Sequence, residues 1–522
     1  MALFDSRDRR FGALLSQLIN SNPFGPEWVE LERRALGRDY QEAPRVYHRL
    51  GEWDESRLHP NIEVVGERAS RLAELGRRRL AAGTHATPEE LRLYDDAAMY
   101  NLYRNCYQPL DDAVLATAPP ARENAVVAAW SIFVRDYRAF FLALGRKFPG
   151  GHAPEHIFAC LFQMRRAFHH IYNNILGSSK PAARLRATVW QSLFTHDMRR
   201  WGRALYRRMG NFPTLITGPS GTGKELVARA VGMSRYIPFD PNTRKFACDF
   251  AGSFHPLNLS ALPATLIESE LFGHKKGAFT GAVEDRVGWL QECEHKYRIY
   301  GTVFLDEIGE LDAGIQVKLL RVLQTGVFHR LGESKMLHFS GKIISATNRD
   351  LADEMRAARF REDFYYRLCA DRIETPSLRE QLADEPDDLH NLLWFIARRE
   401  IGDAEAESLA TEVKDWIERN LPRDYPWPGN FRELEQCVRN IIIRRSYQPA
   451  QTRRPLADDP REVLAAAIVD GALTAAEMES RYFTLIFAQA GTYEAAAERL
   501  QCNWRTVRSK IDRKFLRQLQ GG

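Results

Sequence analysis

The chain has 522 residues, 44% of them apolar, and a formal net charge of +5. That length sets an expectation of about three or four domains with real cores, while the charge is too mild to mark a nucleic-acid binder by itself. No uninterrupted apolar stretch is long enough to span a bilayer, the first ten residues lack the apolar core of a signal peptide, and Cys106, Cys160, Cys248, Cys293, Cys369, Cys437 and Cys502 form no CxxC pair, which argues for reduced thiols in a cytoplasm and against a structural zinc site.

Residues 1–174 are expected to form an α-helical domain, since apolar residues recur at helical spacing over 67–80 and 125–144 among many aromatics and arginines. Asp95-Asp96 and Asp111-Asp112 read as solvated acidic edges, and Arg77-Arg78-Arg79 as a solvated face. His169 and His170 point to different faces of a helix and do not read as a metal pair.

The apolar run Thr214-Leu215-Ile216-Thr217 leads into Gly218-Pro219-Ser220-Gly221-Thr222-Gly223-Lys224 and then into the helical Glu225-Leu226-Val227-Ala228. A strand, a glycine turn and a helix start make a phosphate cradle: glycines let successive backbone N–H groups converge on phosphate oxygens, and Lys224 can neutralise charge on the β- and γ-phosphates. Glu225 stands where the general pattern has Ser or Thr for magnesium. Asn258 follows Pro256-Leu257, and beyond it Gly277-Ala278-Phe279-Thr280-Gly281-Ala282 places an apolar residue between glycines. As a bare string this could be a hairpin turn with Phe279 folded back into the core, or an exposed contact loop.

Thr302-Val303-Phe304-Leu305 is a β run ending in Asp306 and Glu307. Asp306 is suited to orient magnesium, directly or through water, and Glu307 to polarise an attacking water. Thr347 and Asn348 end the strand-like Lys342-Ile343-Ile344-Ser345-Ala346, Arg361 and Arg367 flank Phe364-Tyr365-Tyr366, and Arg432 lies in Trp427-Pro428-Gly429-Asn430-Phe431-Arg432-Glu433-Leu434. Singly, the first two could close a turn and each arginine could make a surface ion pair.

After a linker-like break from Ser446 to Pro455, the chain turns helical again at Ala475. Two short helices follow, Tyr493 to Leu500 and Trp504 to Ile511, around Gln501-Cys502-Asn503. Ala496, Ala497 and Leu500 would pack against Val507 and Ile511, and Asn503 could cap the second helix. Trp504, Arg505, Arg508, Ser509 and Lys510 would face a DNA groove, with Arg513 and Lys514 near phosphates.

The order and spacing of these motifs resemble the AAA+ bacterial enhancer-binding proteins that activate sigma-54 RNA polymerase, over roughly residues 175–445 and again at the C-terminus. The resemblance implies an α/β AAA+ P-loop ATPase core at 175–370, a helical lid at 371–445, a linker at 446–473 and an all-α Fis-like helix-turn-helix at 474–522. Residues 1–174 would be regulatory, and they show no succession of short strands such as a receiver domain needs. In this family Glu is usual after the phosphate-loop lysine, so Glu225 fits. Asn258 would be the switch asparagine restraining Glu307, Thr347 and Asn348 the first sensor, and Arg432 the second. Arg361 and Arg367 would enter the neighbouring subunit's site, so a monomer should hydrolyse ATP poorly.

The segment from Gly277 to Ala282 would rise from a ring surface when ATP is bound and meet sigma-54 through Phe279 and Thr280. ATP and Mg2+ are the implied cofactors. The implied partners are sigma-54 RNA polymerase holoenzyme, an upstream double-stranded DNA site and further copies of the chain in a ring, a hexamer; no membrane is involved and the location is cytoplasmic. Gln501 departs from the glycine often found at the turn. Two competing readings are a DNA-binding repressor or scaffold in which hydrolysis is incidental, and a remodeller acting on another protein.

Overall fold

The computed structural model describes residues 2–42, 60–151, 153–249, 254–297, 301–449, 460–469 and 471–519. They fall into two compact units, Met1–Ser446 and Tyr447–Gly522.

At the centre of the first unit is a parallel sheet of β1 (Thr214–Thr217), β2 (Phe254–Asn258), β3 (Thr302–Asp306), β4 (Lys342–Thr347) and β5 (Asp371–Glu374), in the order β5-β1-β4-β3-β2. A parallel sheet is covered on both faces, and its central strands read as continuous apolar runs. Alternation divides them: Leu215, Leu257, Val303, Leu305 and Ile343 enter one core, while Ile216, Phe304, Ile344 and Ala346 enter another. Because all five strands point the same way, β1, β3 and β4 end at one edge, the side on which open α/β sheets hold ligands.

Numbering helices of seven residues or more, the N-terminal layer consists of α1 (Ser6–Asn20), α2 (Pro26–Leu36), α3 (Pro60–Ala81), α4 (Pro88–Leu115), α5 (Pro119–Phe140), α6 (Pro154–Asn174) and α7 (Lys180–Phe194). Local signals explain several starts: Thr87 and Glu90 form a reciprocal cap on α4, and the Ser179 hydroxyl accepts from Ala182 N on α7. The helical expectation for this region holds and Asp112 is exposed as expected, but Asp95 and Asp111 correct the reading of solvated acidic edges. Asp111 is fully buried and pairs with the buried Arg165, and Asp95 is 8% exposed and accepts from Gly150 N at 2.8 Å. Solvated edges would be open; these carboxylates are inside because partners distant in sequence reach them.

This layer is continuous with the sheet. Phe158, Phe162 and Ala167 of α6 share a core with Ile216, Phe304 and Ile344. Phe162 stacks on Phe246 at 4.4 Å, and Trp130 and Phe158 meet Phe239 at 4.8 and 4.7 Å.

Helix α8 (Lys224–Gly232) follows β1 and shares the core of the N-terminal layer, whereas α9 (Ala264–Phe272) and α10 (Trp289–Tyr297), between β2 and β3 in the chain, and α11 (Ala313–Thr325) and α12 (Glu362–Leu368), flanking β4, join the other core. A helical lid, α13 (Leu378–Asp384), α14 (Asp388–Ile401), α15 (Asp403–Asn420) and α16 (Asn430–Arg444), packs through Leu393, Ile396, Ala410, Val413, Leu434 and Val438. Ser178 ties the N-terminal layer to it, its N–H and hydroxyl donating to the buried Asp388 carboxylate at 2.8 and 2.9 Å.

The second unit holds α17 (Pro460–Val469), α18 (Ala475–Ala490), α19 (Tyr493–Arg499), α20 (Trp504–Lys510) and α21 (Arg513–Leu519). Helix α17 lies inside the stretch read as linker; residues 450–459 and 470 of that stretch are outside the described residues.

Candidate active site

The loop between β1 and α8 wraps tightly because three glycines take φ values closed to most side chains: Gly218 at 144°, Gly221 at 77° and Gly223 at 84°. Neighbours close in as well. A Cβ at Gly218 would lie 2.2 Å from Thr375 Oγ1, and one at Gly221 would lie 2.2 Å from the Gly429 carbonyl oxygen. Thr222 Oγ1 is 2.7 Å from Thr375 Oγ1, and Lys224 Nζ donates to the Gly218 and Pro219 carbonyls at 3.0 Å each. Burial lowers the Lys224 pKa, with Glu307 and Asp306 opposing. This is a cradle of backbone N–H groups at a helix start, and its donor chemistry fits a polyphosphate.

The carboxylates stand at the end of β3. Burial raises the Asp306 pKa, opposed by the Glu307 N–H and by Lys224. Glu307 has φ 57° and ψ 48°. A non-glycine residue in the left-handed region is strained, and such residues gather at functional sites. A pair of oxygen donors beside a phosphate cradle fits a magnesium site.

The lid closes the arrangement from the opposite side. Phe431 N donates to Gly221 O at 3.0 Å, Asn430 Nδ2 to Ser220 O at 2.8 Å and Arg432 Nη1 to Ser220 Oγ at 3.3 Å. Asn430 itself is buried, at φ 50°, and its Oδ1 accepts from Leu378 N at 2.8 Å. Thus phosphate loop, acid pair and Arg432 meet in one place.

Residues 273–287 form a separate projection on a short ribbon, Gly273–His274 against Arg286–Val287. Its neck is held by Lys275 and Asp285 at 2.6 Å. At its tip Gly277 N donates to Ala282 O at 2.8 Å and Ala282 N to Phe279 O at 3.0 Å. Gly277 and Gly281 have φ 82° and 100° with open space around them. Thr280 is exposed, Ala282 buried, and Phe279 half-buried edge-on to His274 at 5.0 Å. Phe279 is therefore folded partly back, in a loop that nonetheless projects its Thr280.

Across residues 196–374 the chain matches the family model described as the sigma-54 interaction domain. This central region is thus similar to a sigma-54 interaction domain. The chain is 40% identical over 295 residues to the Nif-specific regulatory protein of Azotobacter vinelandii, covering 56% of this chain and 52% of that protein. It is 38% identical over 297 residues to the DNA-binding transcriptional regulator NtrC of Rhizobium meliloti, covering 55% and 56%. The chain spans about half the length of the curated relatives it matches. A looser likeness to NtrX of Brucella abortus, with TM-score 0.37 at 23% identity over 75% of this chain and 76% of that one, adds nothing to the sheet order.

Within this central region, three expected residues stand apart from the cradle. Asn258 neighbours Asp306 in register, but its Oδ1 accepts from Ser260 N and Oγ at 3.0 and 2.8 Å, so it does not restrain Glu307 here. Arg361 makes a two-point ion pair with Asp363, at 3.0 and 2.8 Å, and Arg367 is exposed. Neither arginine bonds to its own phosphate loop. Thr347 is buried at the end of β4, its Oγ1 accepting from Arg349 N at 3.1 Å, and Asn348 is exposed.

Thr375 and Asn430 are the residues that sequence reasoning missed. No motif marks Thr375, which becomes a neighbour of the loop because β5 lies beside β1. Asn430 sits in the string that draws attention to Arg432, and its signal was the turn-forming Pro428-Gly429 before it.

In the second unit Ala496, Ala497 and Val507 are buried with Ile486, and Leu500 and Ile511 pack against them. Gln501 takes φ 48°, the turn position where a side chain is least welcome, and Asn503 Oδ1 accepts from Arg505 N at 2.9 Å. Trp504, Arg505, Arg508, Ser509 and Arg513 are exposed. Lys510 instead turns to α18, pairing with Glu479.

Proposed function

We propose that the chain is an ATP-hydrolysing activator of sigma-54 RNA polymerase. The observation that carries this is the convergence of the 218–224 cradle, the Asp306-Glu307 pair and Arg432 in a chain whose region similar to a sigma-54 interaction domain also projects the 277–282 loop.

ATP would bind with its phosphates against the backbone N–H groups of the cradle and the Lys224 ammonium. Asp306 would hold Mg2+, which supplies charge neutralisation on the phosphates when bound. Glu307 orients and polarises the attacking water from its left-handed turn, Thr347 and Asn348 border it at the next strand end, and Arg432 relates lid position to the phosphates. Asn258 would exchange its bond to Ser260 for one to Glu307 in the restrained state. Arg361 and Arg367, both turned outward, complete the site of a neighbouring copy in a ring, which makes assembly a condition of turnover. The 277–282 loop carries the result to sigma-54. Arg505, Arg508 and the rest of the exposed α20 face bind upstream double-stranded DNA, and the work is done in the cytoplasm. Among the described residues no helix is long and apolar enough to cross a membrane.

The test is transcription from a purified sigma-54 promoter system. The reading expects open complexes with ATP and none with a non-hydrolysable analogue; equal activation by both would refute the coupling to hydrolysis.

A further inference from the structure

Inside the N-terminal helical layer lies a cavity of about 850 Å³, near the top of the size range of small-molecule sites. Its wall is mainly apolar and aromatic, with Trp28, Tyr100, Tyr103, Phe168, Trp190 and Trp201 among its residues. Trp190 and Trp201 are 2% and 3% exposed, and neither indole N–H has an acceptor among the described residues. Buried donors without partners are rare. Both nitrogens are closed off from the cavity, so what the two residues present to it is aromatic surface.

Several charged groups on the same wall are already committed. Arg165 pairs with Asp111 and lies 4.3 Å over the Tyr107 ring, Asp95 holds Gly150 N, and Asp96 holds Arg199 and Ser16 Oγ at 2.6 Å each. What the wall offers most of is aromatic and apolar surface, which suits a largely apolar organic molecule.

Helix α6 belongs to this cavity and to the nucleotide-binding core at once. Ile157, Leu161, Met164 and Phe168, spaced by three and four, line the cavity. Gln163 and Arg166 reach the other way: Gln163 Nε2 donates to Ser234 O at 2.9 Å, and Arg166 donates to Met233 O at 2.8 Å and to Arg235 O. Those carbonyls come directly after α8, which begins with Lys224.

We propose that this cavity binds a small, largely apolar organic molecule, and that its occupancy acts through α6 on α8 and so on nucleotide turnover. The second half rests on the ATPase reading; the first does not. A ligand can shift the core only by preferring one of its states.

The experiment uses the full chain and N-phenyl-1-naphthylamine, an uncharged fluorescent probe. Saturable binding of one probe per chain is expected, with quenching of tryptophan emission. Met164→Trp and Ile62→Trp, each placing bulk on the cavity wall, should weaken binding about tenfold or more while retaining a cooperative melt. Either variant alone suffices should the other fail to fold. Turnover should change about twofold or more with probe in the wild type and stay constant in the plugged variants. Non-saturable binding, or equal binding in wild type and plugged chains, would overturn the site. Binding that the plugs abolish, with turnover indifferent to probe, would overturn the coupling and leave the site standing. Absence of turnover even without probe would count against the ATPase reading, and the binding arm would still decide the cavity.

Discussion

Two glycine loops of this chain share a backbone habit and differ in surroundings. Gly218, Gly221 and Gly223 take positive φ inside a crowd, where Thr375 and Gly429 leave no room for a Cβ at the first two. Gly277 and Gly281 take positive φ in open space. Crowding determines one shape, as a phosphate cradle requires, because a site that stabilises charge must not reorganise while doing so. Openness permits several shapes, as the role proposed for this loop requires. The glycines alone do not tell these roles apart; their neighbours do.

Four changes would break or sharpen that contrast. The largest effect is expected from Glu307→Gln, which should lower ATP turnover by about 10²–10⁴-fold while nucleotide binding, measured by titration with a fluorescent analogue, persists. Loss of binding to the same degree would place Glu307 in the cradle and not beside the water. Next comes Gly221→Ala, whose methyl group meets the Gly429 carbonyl. Nucleotide affinity should fall about tenfold or more, and an affinity within twofold of wild type would show that the lid yields easily.

The rigid side of the contrast extends into the helical layer behind the cradle, where burial and the neighbouring Asp96 raise the Asp95 pKa to about 7, opposed by Gly150 N and Arg199. A carboxyl raised on folding contributes stability that is full below the unfolded value, about 4, and is lost as pH climbs through about 7. Asp95→Asn should therefore gain on the wild type between pH 5 and 8, by on the order of 2–4 kcal/mol, read as a widening gap in melting temperature. A gap independent of pH would mean that Asp95 is ionised throughout. The smallest effect belongs to Gly281→Ala, with no contact to lose and about 1–2 kcal/mol of left-handed strain confined to the loop. ATP turnover should stay within about twofold, and a large loss would show that the two loops are mechanically one.

Much of the site could be read from residue order, because a strand, glycine turn and helix start are local, and so is a strand ending in two acids. The pair of short helices around residues 501–503 was legible for the same reason, down to the capping Asn503 and the strained Gln501. What escaped is non-local. Asp111 looks solvated until α6 brings Arg165 to it. Residues 1–174 look like an independent domain until Phe158, Phe162 and Trp130 are seen against Phe239 and Phe246. Phe279 could be read as folded back or as offered outward, and only the ring of His274 decides its place in this conformation. Helix α17 was hidden in a stretch whose beginning, rich in Pro, Gln and Arg, reads as linker.

The central claim is that the open loop delivers what the crowded loop hydrolyses. Thr280→Ala removes the one exposed hydroxyl between Phe279 and Gly281 without touching the cradle. ATP turnover and open-complex formation at a sigma-54 promoter should be measured together on this variant. The account predicts turnover within about twofold of wild type and no open complex. Normal open-complex formation by Thr280→Ala would contradict it.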